Sequence, residues 1–249
     1  MANRAWLHRW KTLLATLRTV ENDADAQRLL LTLSNPQRST VLGFVNAHAM
    51  NLAAVEPDYC QALASADVLL RDGAGMAILL RRLGRQPGLN MNGTDFIPQL
   101  LHAYKGRPVA FWGTREPYLA QAAQHCQAVY GVRMVSQHEG FADFQTYLAL
   151  AQAQRPALIV LGMGMPKQER LAAQLAQLPT PCLIICGGAI LDFLGGKVTR
   201  APHWLRRLNA EWLFRLLKEP RRLFVRYVIG NPLFILRTLL YIRAGQHRV

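Results

Sequence analysis

Short apolar runs alternate along the chain with stretches whose apolar residues recur at helical spacing. The runs cover residues 41–46, 67–71, 108–113, 132–136, 157–162 and 182–187. They hold few polar residues, as strands buried on both faces should. Helical spacing covers residues 58–66, 75–83, 95–104, 116–130, 143–154 and 168–177. This alternation predicts an α/β fold built on a doubly wound, parallel sheet. A helical segment, roughly 5–34, precedes the first strand, and after Gly196 the strands stop and helices take over. The pattern therefore divides the chain into an N-terminal helical segment (1–40), a core (41–196) and a helical C-terminal appendage (197–249). Arg200-Ala201-Pro202 breaks the pattern near the second boundary.

In open parallel sheets, ligands bind at the carboxyl ends of the strands. Here those ends read Asn46-Ala47-His48, Asp72-Gly73-Ala74-Gly75, Gly113-Thr114-Arg115, Gly162-Met163-Gly164-Met165-Pro166-Lys167-Gln168-Glu169 and Gly187-Gly188. Glycines let backbone N–H groups approach a phosphate, and helix N-termini favour its charge. Each end alone is a weak signal. Five in one chain point to a nucleotide- or phosphate-sized ligand.

Charge adds a second feature. Residues 197–249 carry 12 Lys and Arg against two acids, which is +10 of the chain's formal net charge of +14. The same stretch holds Trp204, Trp212, Phe214, Leu217, Phe224, Tyr227, Phe234 and Tyr241. A tail both basic and apolar fits a membrane surface or a lipid-linked phosphate. The most apolar part, residues 227–242, has 16 residues and contains Asn231, Pro232 and Arg237, so it is expected to lie on a bilayer and not to cross it. A basic nucleic-acid-binding α/β protein is the alternative. Cys60, Cys126, Cys182 and Cys186 form no CxxC pair, which fits a reducing compartment and gives zinc no ligand set.

The candidate chemistry rests on few groups. Asp72 sits at a strand end, where it serves either as a general base or as the N-cap of the next helix; spacing alone leaves both open. Gly162-Met163-Gly164 lacks the third glycine of a dinucleotide fingerprint, which argues against a nicotinamide cofactor. Asp23-Ala24-Asp25 follows no strand and reads as acids favoured at a helix start. Asn92-Gly93-Thr94 reads as a turn. No HxxxH or HExxH pattern is present, so no metal and no cofactor is expected. Arg215, Arg222 and Arg226 stand at spacings of seven and four, on one helical face if Pro220 leaves the axis intact.

These motifs, with Asn92-Gly-Thr-Asp95, Gly187-Gly-Ala-Ile-Leu-Asp-Phe193 and Glu211-Trp-Leu-Phe-Arg215…Glu219-Pro-Arg-Arg222, come in an order that resembles the WecG/TagA/CpsF glycosyltransferases (glycosyltransferase family 26). The resemblance covers about residues 20 to 230. It implies a Rossmann-like core and inverting, metal-independent transfer from a UDP-sugar to a sugar on a polyprenyl diphosphate. The setting would be bacterial surface polysaccharide or exopolysaccharide synthesis, peripheral to the cytoplasmic face of the inner membrane, with no nucleic-acid partner and a homo-oligomer left open. Carried over, Asp72 is the base, Asn46 lies near the sugar, and Arg215 and Arg222 offset the leaving diphosphate. Gly73, Gly93, Asp95, Gly113, Gly164, Lys167, Gln168, Glu169, Gly187, Gly188 and Asp192 fall on the substrate-binding motifs, with Gln168 in the donor pocket and Asp192 near the nucleotide. The sequence departs from the family at Asn90, where many members have Arg, and at Phe44, where many have a small hydroxyl residue. Both bear on the donor, which is expected to be UDP-N-acetylmannosamine, its uronic acid form or UDP-glucose.

Overall fold

The computed structural model describes residues 4–202, 205 and 211–245. Its sheet has seven strands: β1 (Leu17–Arg18), β2 (Thr40–Val45), β3 (Val68–Arg71), β4 (Pro108–Gly113), β5 (Arg133–His138), β6 (Leu158–Gly162) and β7 (Leu183–Cys186). Their order is β1-β3-β2-β7-β6-β4-β5, and every pair is parallel. Six strands fall on the apolar runs. The seventh, β1, lies inside the segment expected to be helical. It pairs Leu17 with Leu69 and Arg18 with Leu70, and two residues are too few to show a period.

Residues on successive strand positions bury into opposite layers, which is why the runs lack polar positions. Leu42, Phe44, Val109, Phe111, Val160 and Ile185 face one layer. It contains α2 (Asp23–Ser34), α6 (Gly93–Ala103), α7 (Tyr118–Tyr130) and α10 (Ile190–Leu194). Val41, Val45, Leu69, Trp112, Leu161 and Ile184 face the other. That layer holds α1 (Ala5–Thr16), α3 (Ala47–Ala53), α4 (Pro57–Ala64), α5 (Ala74–Arg82), α8 (Phe144–Gln154) and α9 (Lys167–Leu175). Helix α3 is absent from the periodicity reading. It starts because Asn46 caps it, its Oδ1 accepting the Ala49 N–H at 3.0 Å. Asn22 caps α2 in the same way, with Asp23 and Asp25 in its first turn, as expected for that acidic pair. Asn92 caps α6, so the expected turn there is a helix start. All four cysteines are buried free thiols.

Beyond the sheet come α11 (Glu211–Lys218), α12 (Pro220–Phe224), a π-helical turn (Val225–Ile229) and α13 (Gly230–Arg243). Trp204 lies outside the described residues. Arg200 ties this region to the core, its Nη2 lying 2.5 Å from Asp95 and its Nε 3.9 Å from Glu211. Helix α13 is docked more firmly. Phe234 and Tyr241 are buried, with ring centroids 5.6 and 5.7 Å from Trp10 of α1. Asn51 of α3 donates to the Gly230 carbonyl at 2.7 Å, and its own Oδ1 and carbonyl accept from Arg237 at 3.0 Å. The helical run Pro220–Arg243 has 24 residues and contains an 18-residue window of mean hydropathy 1.4, long and apolar enough to cross a membrane by length and composition. The sequence reading found no such run because it started at Tyr227, whereas the helix continues back to Pro220. One face of that run packs on the core; Val225, Ile229, Leu236, Leu239 and Leu240 lie exposed on it.

Trp10 is fully buried and its Nε1 donates to the Met50 carbonyl at 2.9 Å. Replacing it with Ala is expected to cost about 3–5 kcal/mol, read by urea unfolding. The cut sites exposed first in limited proteolysis should then lie in α13.

Candidate active site

A cavity of about 770 Å³ opens along the carboxyl ends of the strands, and α11, the π turn and α13 form its far wall. Asp72 follows β3 directly. Its backbone N–H bonds the Val45 carbonyl at 2.8 Å, which continues the β2–β3 ladder one residue further. Buried Arg71 holds the turn from behind: its guanidinium donates to the carbonyls of Gly73, Pro87 and Gly88 at 2.9–3.1 Å. Asn90 Oδ1 accepts the Gly73 N–H at 2.7 Å. Gly73, with φ of 85°, is the N-cap position of α5 and no side chain caps that helix. The capping alternative for Asp72 is therefore excluded, and its carboxylate is left for the cavity, with Asn46 Nδ2 at 3.4 Å from Oδ2.

Burial raises the Asp72 pKa; the Asn46 bond and then Arg226, Arg215 and Arg71 pull it back. Those arginines are themselves unusual. The Nε groups of Arg215 and Arg226 are buried and have no hydrogen-bond partner among the described residues. Arg226 is held below the ordinary arginine value, by burial first and, among its neighbours, by the like charges of Arg215 and Arg222. Arg215 sits 5.5 Å over the Phe193 ring. Cations crowded together with unused donors form a site for an anion.

Of the residues singled out in the sequence, Asn46, Asp72, Gly73, Gly93, Gly164, Gln168, Gly187, Gly188, Asp192, Arg215 and Arg222 meet at this cavity. Asp192 is nearly buried, and its Oδ1 takes the Thr114 hydroxyl and Lys197 Nζ. Arg222 lies at the rim, its Nε 2.5 Å from Glu219. Four others stand off the cavity wall. Lys167 Nζ donates to the carbonyls of Gly140 and Ala142 at 2.9 and 2.8 Å, fixing the loop after β5. Asp95 pairs with Arg200 and with Asn92. Glu169 is buried behind Gln168. Gly113 is where β4 and β6 close up: a Cβ there would lie 2.4 Å from the Gly162 carbonyl carbon. Arg226, His48 and Arg115 line the cavity as well, though the sequence assigned none of them a role there. The four-residue step from Arg222 was the only signal for Arg226.

A parallel sheet with such a crevice, a carboxylate at a strand end and a cluster of arginines defines a class of enzymes that bind anionic, nucleotide-sized substrates. Comparison with known proteins narrows it. The chain belongs to the glycosyl transferase WecG/TagA/CpsF family, whose pattern matches residues 14–248, and it is a glycosyltransferase. Among its relatives is the N-acetylglucosaminyldiphosphoundecaprenol N-acetyl-beta-D-mannosaminyltransferase of Bacillus subtilis strain 168, 26% identical over 187 residues, covering 73% of each chain. The enzyme of that name from Bacillus spizizenii is 26% identical over 193 residues, covering 76% of this chain and 74% of its own.

His48 supplies a pH test of this wall. Burial, then Arg226, pushes its pKa down to about 4, so it is neutral at pH 7. Between pH 6.5 and 4 the unfolded chain takes up a proton that the folded one refuses, so stability falls as pH drops through that window. His48→Gln should remove about 1–2 kcal/mol of the loss between pH 7 and 5, measured as a smaller drop in thermal midpoint than in the wild type.

Proposed function

We propose that this glycosyltransferase moves a sugar from a UDP-sugar to a sugar carried on a polyprenyl diphosphate, in bacterial surface polysaccharide or exopolysaccharide synthesis. The observation that carries this reading is the pair of unpartnered, buried arginine Nε groups in a cavity that also holds Asp72. The acceptor class follows the printed names of the two Bacillus relatives. The reaction is one in-line displacement. Asp72 takes the proton from the acceptor hydroxyl as that oxygen bonds to the anomeric carbon. The bond from that carbon to the diphosphate oxygen breaks, UDP leaves with the electron pair, and the anomeric configuration inverts. Arg215, Arg226 and Arg222 offset the charge that grows on UDP, a role that a divalent cation fills in other transferases. The mechanism proposed here is metal-independent because the arginines supply the positive charge; among the described residues no cluster of three His, Cys, Asp or Glu is placed to hold a metal. Thr114 follows β4, four strands along the sheet from β3 and Asp72, and with its partner Asp192 it suits the nucleoside.

Asp72→Asn should lower turnover about 10²–10⁴-fold while UDP binding, followed by calorimetry, is kept. Full activity in that variant removes Asp72 as the base. Turnover on a synthetic lipid-diphosphate sugar, with UDP-N-acetylmannosamine, its uronic acid form and UDP-glucose compared, identifies the donor. Product of retained anomeric configuration would rule out the single displacement.

The enzyme is proposed to sit peripherally on the cytoplasmic face of the membrane. Supporting this, the exposed apolar side chains of α11 to α13 include Leu217, Phe224, Val225, Ile229 and Leu236, beside Arg221 and Lys218. Anionic lipid vesicles should sediment the wild-type protein, and the double change Leu236→Glu, Leu239→Glu should leave most of it in the supernatant. Resistance of the wild type to alkaline carbonate extraction would point to a crossing helix in place of a docked one.

A further inference from the structure

Glu169 is a buried carboxylate that the mechanism above does not use. It lies in the first turn of α9, is 2% exposed, and its Oε2 has no hydrogen-bond partner among the described residues. Burial lifts its pKa to about 7. Nearby Tyr59 is also buried, and its hydroxyl is equally unpartnered. As a core element this arrangement costs stability, because a desolvated oxygen without a partner is worse than an apolar group of the same shape.

The bond between the Glu169 and Gln168 side chains leads into the cavity wall. Its Oε1 accepts from Gln168 Nε2 at 2.8 Å. Gln168 is itself buried, and its Oε1 accepts two backbone N–H groups, Gly164 at 3.2 Å and Gly188 at 3.0 Å. Those glycines belong to the loops after β6 and β7, and both line the cavity. Their φ values are +78° and +59°, and a Cβ on either would meet open space. Gln168 is thus a clamp across two loops that a ligand can approach closely, and its side chain is already spent on that work. The clamp functions in one orientation of the amide. Turned over, its Nε2 would face two N–H donors, and the loops would have to separate. In its ionised form the carboxylate next to Nε2 accepts only, so it selects the working orientation.

We infer that Glu169 is a positioning residue for the donor, acting through Gln168 to lock the Gly164 and Gly188 loops in the geometry that the donor's diphosphate requires. This rests on the reading of the cavity as a nucleotide-sugar site.

The test is calorimetric titration of the full-length protein with UDP, with thermal midpoints measured alongside. Glu169→Met should melt at or above the wild-type midpoint yet bind UDP at least about tenfold more weakly, the loss of one oriented clamp. Glu169→Gln, whose amide oxygen still accepts from Gln168, should bind within about threefold of wild type, well inside one such hydrogen bond. In a Gln168→Met background, Glu169→Met should add no further loss, since the two act as one unit. The inference is overturned if Glu169→Met binds UDP like the wild type, if it fails to fold (which would make Glu169 a stabilising core group), if Glu169→Gln is as weak as Glu169→Met, or if the two losses add. A wild-type protein that does not bind UDP overturns the donor reading, and this inference with it; equal binding by wild type and Glu169→Met overturns this inference alone.

Discussion

The packing of Phe234 and Tyr241 against Trp10 is the contact on which the geometry of the site depends. It joins the helix nearest the N-terminus to the last described one, and the Asn51 bonds to Gly230 and Arg237 fix the axial position of the joint. The described residues from Glu211 to Ile229 are thereby held at both ends: by Arg200 against Asp95 and Glu211 on one side, and by α13 on the other. Only with that anchor can α11 and the π turn form a wall across the strand ends. The C-terminal region is therefore not simply an addition to the sheet. Removing it would strip the partners from a fully buried tryptophan, so loss of arginines and loss of core packing would come together.

The anchored wall solves an electrostatic problem in an incomplete way. Buried guanidinium groups are stable when carbonyls or carboxylates satisfy them, as Arg71 shows with its three backbone carbonyls. Arg215 and Arg226 lack such partners at Nε. Asp72 partly compensates them through space, and they, after the Asn46 bond, pull its pKa back against the rise that burial causes. The three groups tune one another, and the arrangement is completed by a second negative charge. In the proposed transfer, a departing diphosphate would meet that need, when its charge is greatest. Burial, and after it the same field, keeps His48 neutral, so the wall presents an imidazole able to donate or accept a hydrogen bond.

The sheet was readable in the sequence because strands buried on both faces leave uninterrupted apolar runs, and six such runs became six strands. β1 escaped because two residues carry no period. α3 escaped because Asn46-Ala47-His48 resembles a loop until the cap bond from Asn46 is seen. Glycines and polar residues at the strand ends marked most of the cavity for the same topological reason. Spacing could not say which side chains turn inward. Lys167 and Glu169 share a motif with Gln168, yet one fixes the loop after β5 and the other lies behind the wall. Arg226 was visible only as a spacing, because the π turn that carries it rotates the helix face in a way no 3.6-residue pattern encodes.

That turn also explains how one short segment serves two surfaces. Val225 and Ile229 are 65% and 52% exposed, while Arg226 between them reaches the cavity near Asp72. In a regular helix, residues 222 and 226 would share a face and residues 225 and 229 another, only about 60° away. The wider turn of a π helix separates the apolar pair from the guanidinium further. A lipid surface meeting Val225, Ile229 and Leu236 would therefore press on the backbone that holds Arg226. An acceptor carried in that surface would arrive at the face where the arginine wall is closed. The enzyme's affinity for its setting and the completeness of its active site then depend on the same few residues of chain.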